Sequence, residues 1–523
     1  MQPQASVDVV STSRRLRPIA IVIALLVALA LCVLFFEAES LRYAHAFVKG
    51  VGYTTSKQRP DSLRQRLDAL VGDNDETLEP WMREGSDVEV PSDERLHLSL
   101  LQAACLEHTA SILPWTFGKP GPNQENDEAN RNTLISRDDP ELLEKLRQCP
   151  DIDIFIPTSL RGHGYCEDAI VYAKCKCPGI TVELFDAARK RNVTYHELCP
   201  KTPILLFNHY WDGVPDAPDF PKEKPLYLMP NIEMYELNEK YLWRIDVALC
   251  KTRACYERMS KWYVQEGNPR NAQVLYTRHT SSDIANYARR KLGDDAIAKK
   301  DFMNMRFIHT VGSSSHKGTW HVLECWLSRP DFPRLDLFIA EHTFKRTYEV
   351  TFGNRIRASQ NLNLTNHRID PIPFGKIIAE ASFFLCPSRM EGYGHYINQA
   401  RASGGVILTT NGVPMNELIE APAMGVYVDT NRQKHHMMFL GGGYNGAHGL
   451  RDVEGMRAEI SGDSVCRAVE QVLFNTSVWQ REAMAAAAQR QYHIDTKFFA
   501  REMVKLRKFN SQVRNTLAHG SGA

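Results

Sequence analysis

The chain has 523 residues and a formal charge of +1, enough length for two to three domains with ample core. Its composition is that of an ordinary globular protein, which excludes a disordered or fibrous chain. Near-neutrality excludes nucleic acid as an electrostatic partner.

Residues 1–17, with Arg14, Arg15 and Arg17, read as a cytoplasmic tail. Residues 18–36 (PIAIVIALLVALALCVLFF) are an unbroken apolar run followed by Glu37 and Glu39. At about 1.5 Å per residue the run just crosses a hydrocarbon core of about 30 Å. Positive charge on its N-terminal side predicts a single-pass protein whose body lies across the membrane. A cleaved signal peptide is the alternative, but its apolar core would span roughly 7–15 residues, and no small-x-small site follows. The body then faces the secretory lumen, in the Golgi or endoplasmic reticulum. Glycosylation acceptors at Asn192, Asn363 and Asn475 agree with that placement. Of the twelve cysteines, Cys166, Cys175, Cys177 and Cys199 form a cluster. The C-x-C spacing does not suit structural zinc, so disulfides or burial are expected there.

Residues 37–150 read as a stem with a helical lead-in. Asp73–Asp93 is acidic and polar, and Leu98, Leu100, Leu101, Cys105 and Leu106 recur at helical spacing. From Asp151 short apolar strands alternate with helices: Ile152–Pro157, Ile180–Phe185, Ile204–Phe207, Leu226–Met229, Val247–Cys250 and Gln273–Tyr276. A second series begins at Arg306, with FIHTV, LDLFIA, SFFLCP, VILTT and VYVDT. The alternation predicts an α/β architecture of two doubly wound, Rossmann-like domains facing a cleft, at residues 151–300 and 301–490. A C-terminal helix and tail fill 491–523, and the helix-forming stretch Ser477–Leu506 is placed to brace the domains.

The chemistry-bearing residues follow strands. Phe307–Val311 leads into Gly312-Ser313-Ser314-Ser315-His316-Lys317-Gly318 and a helix from Thr319. Glycines and hydroxyls let backbone approach a diphosphate, and Lys317 neutralises it. Trp320, Leu323, Trp326 and Leu327 share one face of that helix and read as core. Ala381–Pro387 feeds a loop with Glu391 among Gly392, Tyr393 and Gly394, then a helix from His395. A lone carboxylate beside an anion site suits hydroxyl groups, so the pair points to a sugar nucleotide. Asp151 and Asp153 imitate a D-x-D metal motif, but they stand at the entry of an apolar strand, away from the ends where ligands bind.

GSSSHKG, PSRMEGYGHYINQ and NGVPMNE, in that order, resemble the motifs of family 4 (group 1) retaining glycosyltransferases of the GT-B fold, here with a type II anchor. The resemblance covers roughly Phe307–Val428 well and Asp151–Asp283 loosely. It implies an N-terminal acceptor-side domain and a C-terminal nucleotide-sugar donor domain. It places Gly312, Ser313, Lys317, Gly318, Glu391, Gly392, Tyr393, Gly394 and Gln399 at the donor, with His367 and Arg368 near the base. On the acceptor side it points to the loop Gly162-His163-Gly164 and to Asn231. The sequence has Asn231 where the family often carries a histidine, and His209 or His163 can supply that group. Glu391, Lys317 and His209 are the expected catalytic residues.

The sequence departs from the family at Gln399, in place of a second glutamate, and at Ser313 and Ser314, in place of an arginine. The implied activity is transfer of a sugar from a nucleotide-sugar to a glycan, protein or lipid acceptor with retention, without a metal or other cofactor. The bilayer, through residues 18–36, is the other expected partner. A catalytically degenerate scaffold that binds carbohydrate or a partner protein is the alternative. No basic phosphosulfate loop or carboxylate–histidine pairing marks a sulfotransferase or an epimerase.

Overall fold

The computed structural model describes residues 63–70, 78–83, 85–108, 111–113, 134–136, 139–149, 152–156, 164–173, 184–186, 190–211, 213–234, 236–434, 440–443 and 446–519. The anchor expected at 18–36 lies outside the described residues, as do Gly162, His163, Cys175 and Cys177. Among the described residues no helix is long and apolar enough to cross a membrane.

The lead-in helix α1 (Ser92–Glu107) buries Leu98, Leu101 and Cys105 against the first sheet. That sheet is five-stranded and parallel. In chain order its elements are β1 (Asp153–Phe155), α2 (Tyr165–Ala173), β2 (Ile204–Asn208), β3 (Leu226–Pro230), β4 (Val247–Cys250), α3 (Arg253–Glu266) and β5 (Gln273–Tyr276). The strands lie side by side in that sequence. Asp153 is buried and paired with the buried Lys224 at 2.7 Å, a structural ion pair. Of the strand expected at Ile180–Phe185, residues 180–183 lie outside the described residues. Leu184–Asp186 pairs antiparallel with Arg191–Val193 as a two-stranded ribbon.

The connecting helix α4 (Ile284–Leu292) precedes residue 300, yet Ile284, Ala285 and Ala288 bury against the second sheet. The second series comprises β6 (Phe307–Gly312), α5 (Thr319–Ser328), β7 (Leu335–Ile339), β8 (Leu362–Thr365), α6 (Pro371–Glu380), β9 (Phe383–Cys386), α7 (His395–Ser403), β10 (Val406–Thr410) and β11 (Gly425–Val428). All six strands are parallel, in the order β8-β7-β6-β9-β10-β11. Strands such as FFLC and VILTT are apolar on both faces because helices cover both faces of a parallel sheet. Phe307, Leu385 and Leu408 meet Val322 and Trp326 on one side, while Ile308, Phe384 and Ile407 meet Ile378 and Ile397 on the other. β8 was not foreseen. Its sequence LNLT is half polar because it is an edge strand, with Asn363 exposed.

Helix α8 (Gly462–Asn475) precedes α9 (Val478–His519), which runs unbroken across residue 490, where the sequence reading set a domain limit. Met484, Ala485 and Ala488 of α9 enter the second sheet's cores, and Phe499, Met503 and Leu506 enter the first's. Both halves belong to one compact unit, Asp61–Ala523. Disulfides join Cys105–Cys166, Cys149–Cys199, Cys250–Cys255 and Cys325–Cys466. Cys166 and Cys199 are thus disulfide-bonded, as expected.

His309 fastens the middle of the second sheet. Fully buried, its Nδ1 bonds the Leu385 carbonyl of β9 at 2.7 Å and its Nε2 the Thr319 hydroxyl at the start of α5 at 3.0 Å. Burial lowers its pKa to about 4. The unfolded chain takes up this proton near 6.5 while the native state refuses it until about 4, so stability falls as pH drops through that window. In His309→Gln, the slope of unfolding free energy against pH between about 6.5 and 4 should be shallower by up to about 1.4 kcal/mol per pH unit. Denaturant titrations across that range measure it.

Candidate active site

Strand order reverses between β6 and β9, so the loops that follow these two strands leave the sheet side by side. Ligands of open α/β sheets bind at such a switch point. One loop is Gly312–Gly318 and the other Pro387–Gly394. They are joined by backbone, the Arg389 amide donating to the His316 carbonyl at 2.7 Å. Gly318, at φ +71°, makes that approach possible. A Cβ there would stand 2.0 Å from the Pro387 carbonyl oxygen.

Lys317 and Glu391, one from each loop, form an ion pair at 2.5 Å. The Lys317 ammonium also lies 3.9 Å from the centroid of the Tyr396 ring. Buried Ser388 donates to Glu391 and shares a 2.5 Å hydrogen bond with the Tyr396 hydroxyl. The carboxylate is therefore aimed before any ligand arrives. Burial lowers the pKa of His316, with Arg389, Arg457 and Lys317 acting in the same direction and Glu391 opposing them. Three cations thus surround the loop. Burial depresses Arg389 as well, and Arg457 beside it adds to the effect.

The first half meets this loop directly. A Cβ on Gly392 would fall 2.2 Å from Asn231 Oδ1 and 2.7 Å from Glu233 Oε1. Asn231 accepts from Lys251 at 2.6 Å, and that buried ammonium also donates to Asn208 Oδ1 at 3.1 Å and to both oxygens of Asp168 at 3.2 and 3.3 Å. Asn208 holds a left-handed φ of 62° at the end of β2 and donates to Asp168 at 3.0 Å. Asparagine tolerates that conformation, and such backbone strain gathers at functional sites. Burial pushes Asp168 up, but Lys251 and His395 beside it, with the hydrogen bonds of both imidazoles, hold it well below the usual carboxylate range. Burial, with Glu391 and Asp168 nearby, raises Glu233 to about 7 against the pull of Lys251.

His209 bonds Glu236 through Nδ1 and stacks on Tyr165 at 6.0 Å. Burial raises Glu236, but its hydrogen bonds to His209 and to backbone, together with the His209 charge, leave it lowered. Gly164 sits at φ +89° immediately before α2.

The remaining expected residues scatter. Tyr393 is buried, and its hydroxyl donates to the His279 carbonyl across the interface. Gly394 caps α7 in the left-handed region. Gln399 is half-buried on the same helix. His367 and Arg368 are exposed after β8, two strands from the Lys317 loop. Trp320, expected in the core, is 37 % exposed and packs edge-on against Phe352 at 4.7 Å. Glu417 of the NGVPMNE turn accepts from the Arg253 and Ala254 amides at 2.6 and 2.8 Å, capping α3 across the interface. Behind it a cavity of about 390 Å³ is lined by Arg253, Arg278, Tyr393, Glu417, Tyr427 and Asp495. It contains neither Lys317 nor Glu391, so the chemistry-bearing pair lies outside it.

Sequence reading missed Asp168, Asn208, Lys251, His279 and His395 as a group. Each follows or begins an element near a strand end, but only folding reveals that they converge.

No protein-family profile matches the chain, and no curated protein sequence matches it. Solved structures similar to it include the sucrose-phosphate synthase of Thermosynechococcus elongatus, at 11% identity and TM-score 0.42 over 62% of this chain and 76% of that one. The α,α-trehalose 6-phosphate synthase of Burkholderia multivorans is 10% identical, with TM-score 0.41 over 83% of each chain. Anabaena Alr3699/HepE, solved with UDP-glucose, is 16% identical, with TM-score 0.35 over 57% of this chain and 72% of that one. Likeness at this level assigns no activity to the chain.

Two substitutions test the frame of the site. Lys251→Met removes the buried ammonium from Asp168 and should cost about 3–5 kcal/mol, with part recovered in Lys251→Met/Asp168→Asn. Gly318→Ala should cost more than about 2 kcal/mol, because its Cβ meets backbone at a positive φ. Chemical denaturation of purified protein reads both.

Proposed function

We propose that the chain is a retaining glycosyltransferase of the GT-B type. It transfers a sugar from a nucleotide-sugar to a glycan, protein or lipid acceptor. The observation that carries this reading is the junction of the β6 and β9 loops, where Lys317 meets Glu391 amid Arg389 and Arg457 at a strand-order switch point. The hard step in such a transfer is departure of a nucleoside diphosphate. Lys317, Arg389, Arg457 and the amides opening α5 are placed to stabilise the charge that develops on it, so the diphosphate needs no metal there. Glu391, aimed by Ser388, accepts hydroxyls of the donor sugar. His209, oriented by Glu236, takes the acceptor's proton. Contact between the halves at Gly392 and Asn231 excludes water from the reacting centre.

The apolar run at 18–36 supports a single-pass type II anchor, with the body in the Golgi or endoplasmic reticulum lumen. Four disulfides suit an oxidising compartment.

The test is release of free nucleotide from a panel of nucleotide sugars by the full chain in detergent. Turnover of at least one donor is expected, falling by about 10²-fold or more in Lys317→Ala and in Glu391→Ala. If no donor is bound or turned over, the enzymatic reading fails. Wild-type turnover in both variants would overturn the site assignment.

A further inference from the structure

Three side chains from separate segments converge where the two halves touch. Asp168 lies in the first turn of α2, His279 follows β5, and His395 opens α7. Asp168 Oδ1 is 3.1 Å from His279 Nε2 and 3.0 Å from His395 Nε2, and one ligand atom from each of the three falls within 4.8 Å of the others. Nitrogen and oxygen ligands of a tetrahedral ion stand about 3.3 Å apart, given bonds of about 2.0–2.1 Å.

Hydrogen bonding leaves this cluster incomplete. His279 is fully buried, and burial holds its imidazole neutral; its Nε2 has only the Asp168 contact at 3.1 Å, and its Nδ1 has no hydrogen-bond partner. A buried polar group without a partner is costly and calls for an explanation. The carboxylate of Asp168 offers about four acceptor positions. Lys251 uses one on each oxygen and Asn208 a second on Oδ2, and His395 Nε2 takes the second on Oδ1 at 3.0 Å, a contact that a bound ion would replace. His395 Nδ1 bonds the buried Ser281 hydroxyl at 2.8 Å, the kind of outer contact that fixes a ligating imidazole's ring. Glu233 adds a buried carboxyl oxygen without a partner.

We propose that Asp168, His279 and His395 form a binding site for a divalent transition metal of the zinc class. Two imidazoles and one carboxylate match that donor preference. The ion joins a residue of the second half to two of the first, so it clasps the halves beside the cleft. It shares no residue with the Lys317–Glu391 pair and does not depend on which reaction the cleft performs. The sequence points to no metal because its three ligands are far apart along the chain and share no spacing motif.

The experiment is elemental analysis of the full chain, purified in detergent without added metal or chelator. An equimolar first-row metal is expected in wild type and in Lys317→Ala, and its loss in His279→Ala and His395→Ala. Because a cavity at buried residue 279 can unfold the protein, the second reading uses His395→Gln, at a partly exposed position. Co²⁺ titrated into chelator-treated wild type should produce visible d–d absorption that His395→Gln lacks. Wild type that carries no first-row metal and gives no such absorption overturns the proposal. Variants that hold metal as wild type does overturn it as well.

Discussion

The ammonium of Lys251 is buried, and a buried cation must be surrounded by oxygens or it destabilises the fold. Its partners come from the ends of three neighbouring elements: Asp168 on α2, Asn208 at the end of β2 and Asn231 after β3. Asn208 accepts a strained backbone to reach it. Asp168 in turn receives His395 from the second half. One charge thus dictates the shape of the first half's strand ends and the point where the second half docks.

The second half has its own constraint. Placing β9 next to β6 forces two loops to share the space above one gap in the sheet. They share it through a backbone hydrogen bond that only a glycine at 318 permits. Lys317 and Glu391 are brought together by that seam, and Ser388 and Tyr396 fix the carboxylate from behind. Opposite charges at 2.5 Å keep each other ready while no ligand is present. Arg389 and Arg457 repel one another at the same place, with Glu459 partly offsetting them. The cap that Glu417 provides for α3 and the cleft-spanning helix α9 hold the two constrained regions in register.

Most strands were legible because a strand covered on both faces must be apolar throughout, and such runs stand out in a sequence. The failures have physical causes. Leu362–Thr365 is an edge strand with one wet face, so its alternation resembles a loop. Leu184–Asp186 has an apolar approach, yet it pairs locally with Arg191–Val193 and never joins the sheet. Trp320 stands about 120° around the helix from buried Trp326 and lies in the first turn of α5, at the rim, where the packing against Phe352 covers only part of it. Helix α4 precedes the apparent break between the series, yet it packs on the second sheet. Amphipathic periodicity specifies that a face is buried without naming its partner.

By itself the sequence determined the two parallel-sheet series and the loops at Gly312–Gly318 and Pro387–Gly394, because glycines and a charge after an apolar strand are local signals. It also carried the cysteines and the apolar N-terminal run. Tertiary structure alone decided that Lys317 pairs with Glu391, that Glu417 caps a helix of the other half, and that Asp168, His279 and His395 face one point. Those contacts join residues distant in the chain. Strand order and the closeness of the two halves set them, and no periodicity or motif spacing encodes either.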